Sequence, residues 1–397
     1  MTDLRHPGLR RQLDTCVTCG LCLPVCPTFR LTGDEAASPR GRIAAVSVVQ
    51  EGGAPVDRRF DEITSFCLQC RACETACPSA VPFGSIIEAA RSDVVRARPR
   101  RLRGLALSRG LTWAWAVRLV GRLSPMLARF VPPLRGMRPG AMRRPLRGGT
   151  WPAADADAAE ILLFTGCVAD QWFPGLHDAS VAVLNAAGFS VAAPASQTCC
   201  GALAAHSGFE DGAADLASHN IGALAGETLI AVDVAGCGAH LKGYGAHGPG
   251  ATAFAARVRD INEIVADAIA SGRLPTLPQR REKVAVIDPC HLEHGQRVVE
   301  QPRAILKAAG YEVIDADRGG PCCGAAGIYQ LDHPETGETL GARKAAAVTG
   351  TGTRLVAAAN VGCEMQLRRF LDDTAVIRHP IEFYADALAN PAPDAGE

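Results

Sequence analysis

In the second half of the chain, short apolar runs alternate with longer amphipathic stretches, and each run is followed closely by cysteine. The run 161–165 ends at Gly166-Cys167, the run 189–193 leads to Cys199-Cys200-Gly201, and the run 229–234 ends at Gly236-Cys237. The order then repeats. The run 283–287 ends at Asp288-Pro289-Cys290, 311–316 leads to Cys322-Cys323-Gly324, and 354–359 ends at Gly362-Cys363. Apolar runs of this length bounded by turn residues predict buried strands, and the stretches between them predict helices. Such alternation predicts a parallel sheet with crossover helices. Cys167 and Cys199 lie 32 positions apart, as do Cys290 and Cys322; Cys200 to Cys237 spans 37 positions and Cys323 to Cys363 spans 40. The units even end alike, 258–264 against 377–383, so the pattern is a duplication. Its cysteines fall at the carboxyl ends of strands, where open α/β sheets bind ligands.

The region before the duplication has a different texture. Residues 96–103 form a dense basic run. Residues 105–130 then interleave Trp113, Trp115, Val117, Leu119, Val120, Leu123 and Leu127 with Arg109, Arg118, Arg122 and Arg129. Pro132, Pro133, Pro139 and Pro145 end any helix and predict an exposed tether. Two readings stand. The helix packs on its own chain or on a partner subunit with its arginines in water, or residues 96–130 lie in a membrane interface. No motif that reads bases accompanies the charge, so a nucleic-acid partner is not expected.

Composition adds two constraints. The 397 residues carry 41 basic and 41 acidic side chains, so the overall charge points to no polyanion. Residues 91–147 nevertheless hold fifteen arginines and one acid, Asp93. The sixteen cysteines would need an oxidising compartment to form a disulfide framework. Residues 1–14 show no apolar signal core, and no apolar stretch is long enough to span a bilayer. The expected location is the cytoplasm, or the inner face of the cell membrane as a peripheral protein, with the thiols reduced and bound to metal.

The remaining eight cysteines make two copies of one motif. Cys16, Cys19, Cys22 and Cys26-Pro27 match Cys67, Cys70, Cys73 and Cys77-Pro78 in every spacing. Both fit the run in which three thiolates wrap one [4Fe-4S] cube and the fourth, turned away by proline, serves the other cube. Cys16, Cys19, Cys22 and Cys77 are thus assigned to one cluster, and Cys67, Cys70, Cys73 and Cys26 to the other. Zinc sites use cysteine pairs separated by longer inserts. The insert between the runs holds Arg40 and Arg42, read as surface or helix-start partners that could also raise a cluster potential, and residues 43–49 predict a helix.

For Cys167, Cys199, Cys200, Cys237, Cys290, Cys322, Cys323 and Cys363, buried inert thiols compete with metal ligands. Four at matching element ends in each repeat favour an additional cluster or zinc. His240, His291 and His294 are neighbouring nitrogen donors, although a lone histidine is more often a hydrogen-bonding residue.

The expected fold class is α+β multidomain. A helical two-cluster domain occupies 1–95 and a basic amphipathic linker 96–152. Two duplicated α/β domains with short parallel sheets follow at 153–275 and 276–397.

The double motif followed by two Cys-Cys-Gly units resembles the iron–sulfur subunits of glycolate oxidase (glycolate dehydrogenase). The likeness rests on residues 16–22, 39–43, 236–239, 322–327 and 359–363, and it covers nearly the whole chain except 91–152. It implies partner subunits of flavoprotein type that carry FAD and oxidise a 2-hydroxy acid, and a quinone or other membrane acceptor. This chain would pass electrons between them. The sequence agrees, because no strand–GxGxxG–helix is present and residues 350–352 lack that context. Alternatives are the iron–sulfur subunit of anaerobic glycerol-3-phosphate or D-lactate dehydrogenase, a non-redox docking platform, and a catalytic subunit like heterodisulfide reductase. The last family's fuller pattern ends in Cys-x-x-Cys, whereas His240 and Gln366 stand at that last position here.

Overall fold

The computed structural model describes residues 6, 8–99, 101–127, 149–151, 159–246 and 250–392. The proline-rich part of the linker, with Pro132, Pro133, Pro139 and Pro145, lies outside the described residues. The architecture is α+β in several units.

The N-terminal unit is built from short helices, among them Leu9–Asp14, Pro39–Gln50, Arg58–Ser65 and Phe83–Ala97. Ser38 caps Pro39–Gln50 by accepting from Gly41 N at 3.0 Å, and Asp57 caps Arg58–Ser65 by accepting from Phe60 N at 2.9 Å. The apolar faces meet in a core of Leu9, Leu13, Val46, Phe60, Ile86 and Ile87, with Cys67 and Cys73 at its edge.

Among the described residues the C-terminal half has nine short strands: β1 (Gly149–Trp151), β2 (Ile161–Phe164), β3 (Val191–Ala193), β4 (Leu229–Val232), β5 (Val258–Asp260), β6 (Lys283–Ile287), β7 (Glu312–Asp315), β8 (Leu355–Ala358) and β9 (Val376–Arg378). They form two sheets, ordered β1-β3-β2-β4-β5 and β7-β6-β8-β9. All neighbours are parallel except β1, which runs antiparallel to β3. The duplication is therefore spatial: β3-β2-β4-β5 repeats as β7-β6-β8-β9. The six strands expected from the sequence are present with ends shifted by up to two residues. The edge strands β1, β5 and β9 were not expected, because three residues are too few to show a period.

The two repeats share one hydrophobic core. Helices Pro174–Ala186, Ile261–Ala270, Glu300–Ala308 and Pro380–Ala389 pack between the sheets with Leu163, Ala231, Val286 and Ala357. The linker helices lie on the first repeat and do not float free. Leu107 meets Ala204 and Ala213, and Val117 meets Trp172 and Phe173. Trp172 Nε1 donates to Val117 O at 2.9 Å. Among the described residues no helix is long and apolar enough to cross a membrane.

Candidate metal centres

The two cysteine runs of the N-terminal unit fold as matched loops. Thr18 and Gln69 stand at the same place in each and adopt φ 56° and 53°; Gly20 and Arg71 follow with φ 84° and 63°. Left-handed backbone costs non-glycine residues roughly 1–2 kcal/mol. It turns amides toward the sulfurs, and Gln69 N donates to Cys67 Sγ at 3.3 Å. Strain of this kind, repeated in two loops, marks a functional constraint.

Cys16, Cys19, Cys22 and Cys77 line one pocket, with Cys73, Ile43, Val81 and Phe83 also on its walls. This cavity is open to solvent. Cys19 is exposed, as are Val17 and Leu21 beside it. Burial pushes the Cys22 thiol up. Arg40 reaches across to Thr18 O at 3.3 Å and pairs with Glu35 at 2.6 Å, so it is the surface partner expected.

Cys26, Cys67, Cys70 and Cys73 are all buried. Burial pushes Cys70 and Cys73 well up, and charge on Cys26 and Cys67 would raise both further. Cys26 therefore stands in the electrostatic neighbourhood of the second run. Arg42 departs from the surface role expected of it. It is fully buried, donates to Ile63 O at 3.0 Å and Thr28 Oγ1 at 3.1 Å, and holds Nη1 4.0 Å from Cys26 Sγ. Arg91, read from the sequence only as the start of a basic stretch, pins this loop. Its guanidinium donates to Thr64 O, Ser65 O and Cys67 O, and to His206 O in the first repeat.

The other eight cysteines gather at the carboxyl ends of the strands. In the first repeat Cys167 and Cys199 have sulfurs 3.3 Å apart, and Cys200 and Cys237 3.2 Å. In the second, Cys290 and Cys322 are 3.6 Å apart, and Cys323 and Cys363 3.2 Å. The vicinal cysteines join the pairs, so each repeat presents four sulfurs to one crevice. The glycine after each vicinal pair is left-handed, Gly201 at φ 85° and Gly324 at φ 81°. A Cβ on Gly324 would sit 2.7 Å from Gly337 O, so the tight turn requires glycine.

These donors fit a soft polynuclear metal group. All eight are free thiols, and six of them, Cys199, Cys200, Cys237, Cys322, Cys323 and Cys363, have titrations shifted by burial or by one another. The Cys167 hydrogen bond draws Cys199 down, but the Cys200 hydrogen bond and burial carry it up to about 12. Hydrogen bonds from Cys322 and Cys363 pull Cys323 well below the usual thiol range, with Lys344 assisting. Among the described residues no three of these side chains converge closely enough for a single ion.

The two crevices have different neighbours. Cys70 packs with Cys290 and Cys322, flanked by Leu68, Tyr329 and Leu340. The first crevice instead lies under Leu111, which packs on Cys167 and Cys199. Asn360 joins the crevices: its Nδ2 donates to Cys363 Sγ at 3.5 Å, and its Oδ1 accepts from Gly236 N at 3.3 Å. Asn360, Lys344 and Arg91 escaped the sequence reading as site residues, and of these only Asn360 fell within a stretch that signalled a site; Arg42 was named there as able to raise a cluster potential, but not as buried.

The three histidines near the crevices face interfaces between units. His291 Nε2 pairs with Gln69 O at 2.9 Å, and His294 Nδ1 with Thr75 Oγ1 at 3.1 Å. Burial pushes both down to about 4. His240 packs edge-to-face on His206, 5.9 Å between ring centres, and on Tyr244. His206 Nδ1 pairs with Glu88 at 2.8 Å. Burial opposes the Glu88 charge, but the His206 hydrogen bond holds that carboxyl down at about 2.

Comparison with known proteins follows the same division. Residues 12–81 match the 4Fe-4S dicluster domain, and residues 161–242 and 284–368 match the cysteine-rich domain. A probable glycolate oxidase iron–sulfur subunit of Bacillus subtilis is 31% identical over 90% of this chain and 88% of its own length. The glycolate oxidase iron–sulfur subunit of Escherichia coli is 30% identical over 95% and 94%. One subunit of the dihydromethanophenazine:CoB–CoM heterodisulfide reductase from Methanosarcina barkeri is 26% identical over 95% and 94%.

Proposed function

The chain belongs to the family of glycolate oxidase iron–sulfur subunits, and from that premise we propose that it is the electron-transfer subunit of a flavin-dependent 2-hydroxy-acid dehydrogenase complex. Partner subunits carry FAD and oxidise the hydroxy acid. A quinone or another membrane acceptor takes the electrons. The single observation that carries this reading is the arrangement of the sulfur sets. One is open to solvent at Cys19, one is buried behind it, and the buried set packs on the crevice of the second repeat.

Cys16, Cys19, Cys22 and Cys77 would hold one [4Fe-4S] cluster, and Cys26, Cys67, Cys70 and Cys73 the other. The crevice thiols, Cys167, Cys199, Cys200 and Cys237 in the first repeat and Cys290, Cys322, Cys323 and Cys363 in the second, would hold further iron–sulfur groups. Such groups supply one-electron transfer, which divides the two electrons of a reduced flavin. The protein's own part is positioning and insulation. Arg91 and Gln69 fix the loop of the second run, Arg42 offsets thiolate charge at Cys26, and Leu68, Tyr329 and Leu340 exclude water from the junction. Val17 and Leu21 frame the exposed Cys19 as a landing face for the flavoprotein.

Reconstitution with the flavin-bearing partners tests the reading. In Cys16→Ser, the hydroxy acid should still bleach the flavin while electron transfer to a quinone analogue is abolished. Full quinone reduction by that variant would exclude the wire role.

A further inference from the structure

The segment that covers the first crevice presents its outer side to solvent as an apolar, aromatic and basic surface. Helix Ala114–Leu127 buries Val117 and Gly121 against the first repeat. Its opposite side and the turn before it leave Trp113, Trp115, Leu119, Val120, Leu123 and Met126 exposed, Trp115 by 65% and Met126 by 60%. Positions 115, 119, 123 and 126 recur at helical spacing, so the exposed residues form one stripe. The Trp113 and Trp115 rings stack at 5.9 Å and 12°, which holds both indoles at the same edge of it. Contiguous apolar surface of this kind on an otherwise well-packed chain marks an interaction site.

Charge selects the occupant. Residues 94–154 contain fourteen arginines and no acidic residue. Arg122 is exposed beside the stripe, and Arg109 stands exposed just ahead of it. An apolar stripe with tryptophans at its edge, set among cations of one sign, matches the boundary between anionic headgroups and acyl chains.

We propose that this face docks the protein on an anionic lipid surface, with the helix lying in the plane of the interface. The docking sets the first crevice at the membrane, because Leu111, on the turn leading into the helix, packs on Cys167 and Cys199. This deepens the electron-transfer reading by giving the acceptor side an address: electrons would enter near Cys19 and leave near the lipid.

Flotation of the full-length, cluster-loaded chain with vesicles of phosphatidylcholine alone, or mixed with phosphatidylglycerol, tests the proposal. The expected result is flotation with the mixed vesicles only, released by high salt. The double variant Trp115→Glu with Leu119→Glu should reduce the bound fraction by about tenfold or more. Arg122→Glu, a change at an exposed position, should reduce it by a smaller factor. Iron and acid-labile sulfide are measured on the same samples to confirm folding. Should the double variant lose iron, Arg122→Glu alone decides. Absence of flotation, equal flotation with neutral vesicles, or binding unchanged in Arg122→Glu would overturn the proposal. So would binding of this face to the flavoprotein subunits in place of lipid. None of those outcomes touches the electron-transfer reading, which rests on flavin-to-quinone transfer in detergent.

Discussion

The two Cys-Cys-Gly repeats carry the same four cysteines on the same strand order, yet they meet the rest of the molecule differently. The second packs its crevice on the buried cysteine loop of the N-terminal unit, through Cys70, Leu68 and Tyr329. The first is roofed by the linker through Leu111. Their electrostatics differ as well. Lys344, buried and paired with Asp317 at 2.7 Å, lies near Cys322 and Cys323, and Asn360 donates to Cys363. In the first repeat the charge near Cys237 is negative, from Asp233. Duplication has supplied two similar scaffolds, and the unrepeated segments docked on them set their roles.

The largest expected effect tests that docking. Cys70→Ser removes a thiol shared between the second run and the junction, so quinone reduction by the reconstituted complex should be abolished while the hydroxy acid still bleaches the flavin. Stability separates the repeats next. Gly324→Ala puts a Cβ 2.7 Å from Gly337 O at positive φ, whereas the first contact at Gly201 is 3.4 Å from Ala213 O. Chemical denaturation should show a loss of about 3 kcal/mol for Gly324→Ala and about 1 kcal/mol for Gly201→Ala. Equal losses would mean that the two turns are equally constrained.

The helix caps at the ends of the two repeats should respond to pH in opposite senses. Asp260 caps Ile261–Ala270 and His379 caps Pro380–Ala389, each in a capping box. Burial raises Asp260 to about 6 and lowers His379 to about 4. Between about pH 4 and 6 the folded Asp260 holds more proton than the unfolded chain, so its contribution is present at low pH and lost as pH rises through 6. His379 holds less proton than the unfolded chain between about 4 and 6.5, so its contribution is present above 6.5 and lost as pH falls. Unfolding midpoints across this window should drift less steeply upward with pH in His379→Gln, and more steeply in Asp260→Asn. Parallel slopes for wild type and both variants would remove the distinction. The smallest effect is at Asn360. Loss of one hydrogen bond of about 1 kcal/mol to a ligand sulfur in Asn360→Ala should lower the potential of the second-crevice group by about 40 mV. The first-crevice potential should stay unchanged in the same redox titration.

What the sequence revealed follows from which signals are local. The cysteine runs are legible because ligand geometry is written into spacing over eleven residues, and the internal strands because apolar runs recur before each cysteine. The edge strands β5 and β9 left only a likeness between the repeat ends, since three-residue strands have no period to read. Arg42 looked like a surface arginine in a Pro-Arg-Gly-Arg context. Its burial depends on Ile63 O and Thr28, which come from other elements. The docking of Leu68 on Leu340 joins surfaces far apart in the chain, and neither surface carries a periodic signature. Thus the sequence offers candidate sulfur sets, but the difference between the two crevices cannot be read from it.

Magnetic coupling in the fully reduced full-length chain tests the central claim most directly, because it reports whether the group at Cys26, Cys67, Cys70 and Cys73 neighbours one in the second crevice. Electron paramagnetic resonance should show, beyond the interaction between the two N-terminal clusters, a further spin–spin interaction that is lost in Cys323→Ser and persists in Cys200→Ser. A spectrum unchanged by Cys323→Ser, with the same iron content as wild type, would contradict the account.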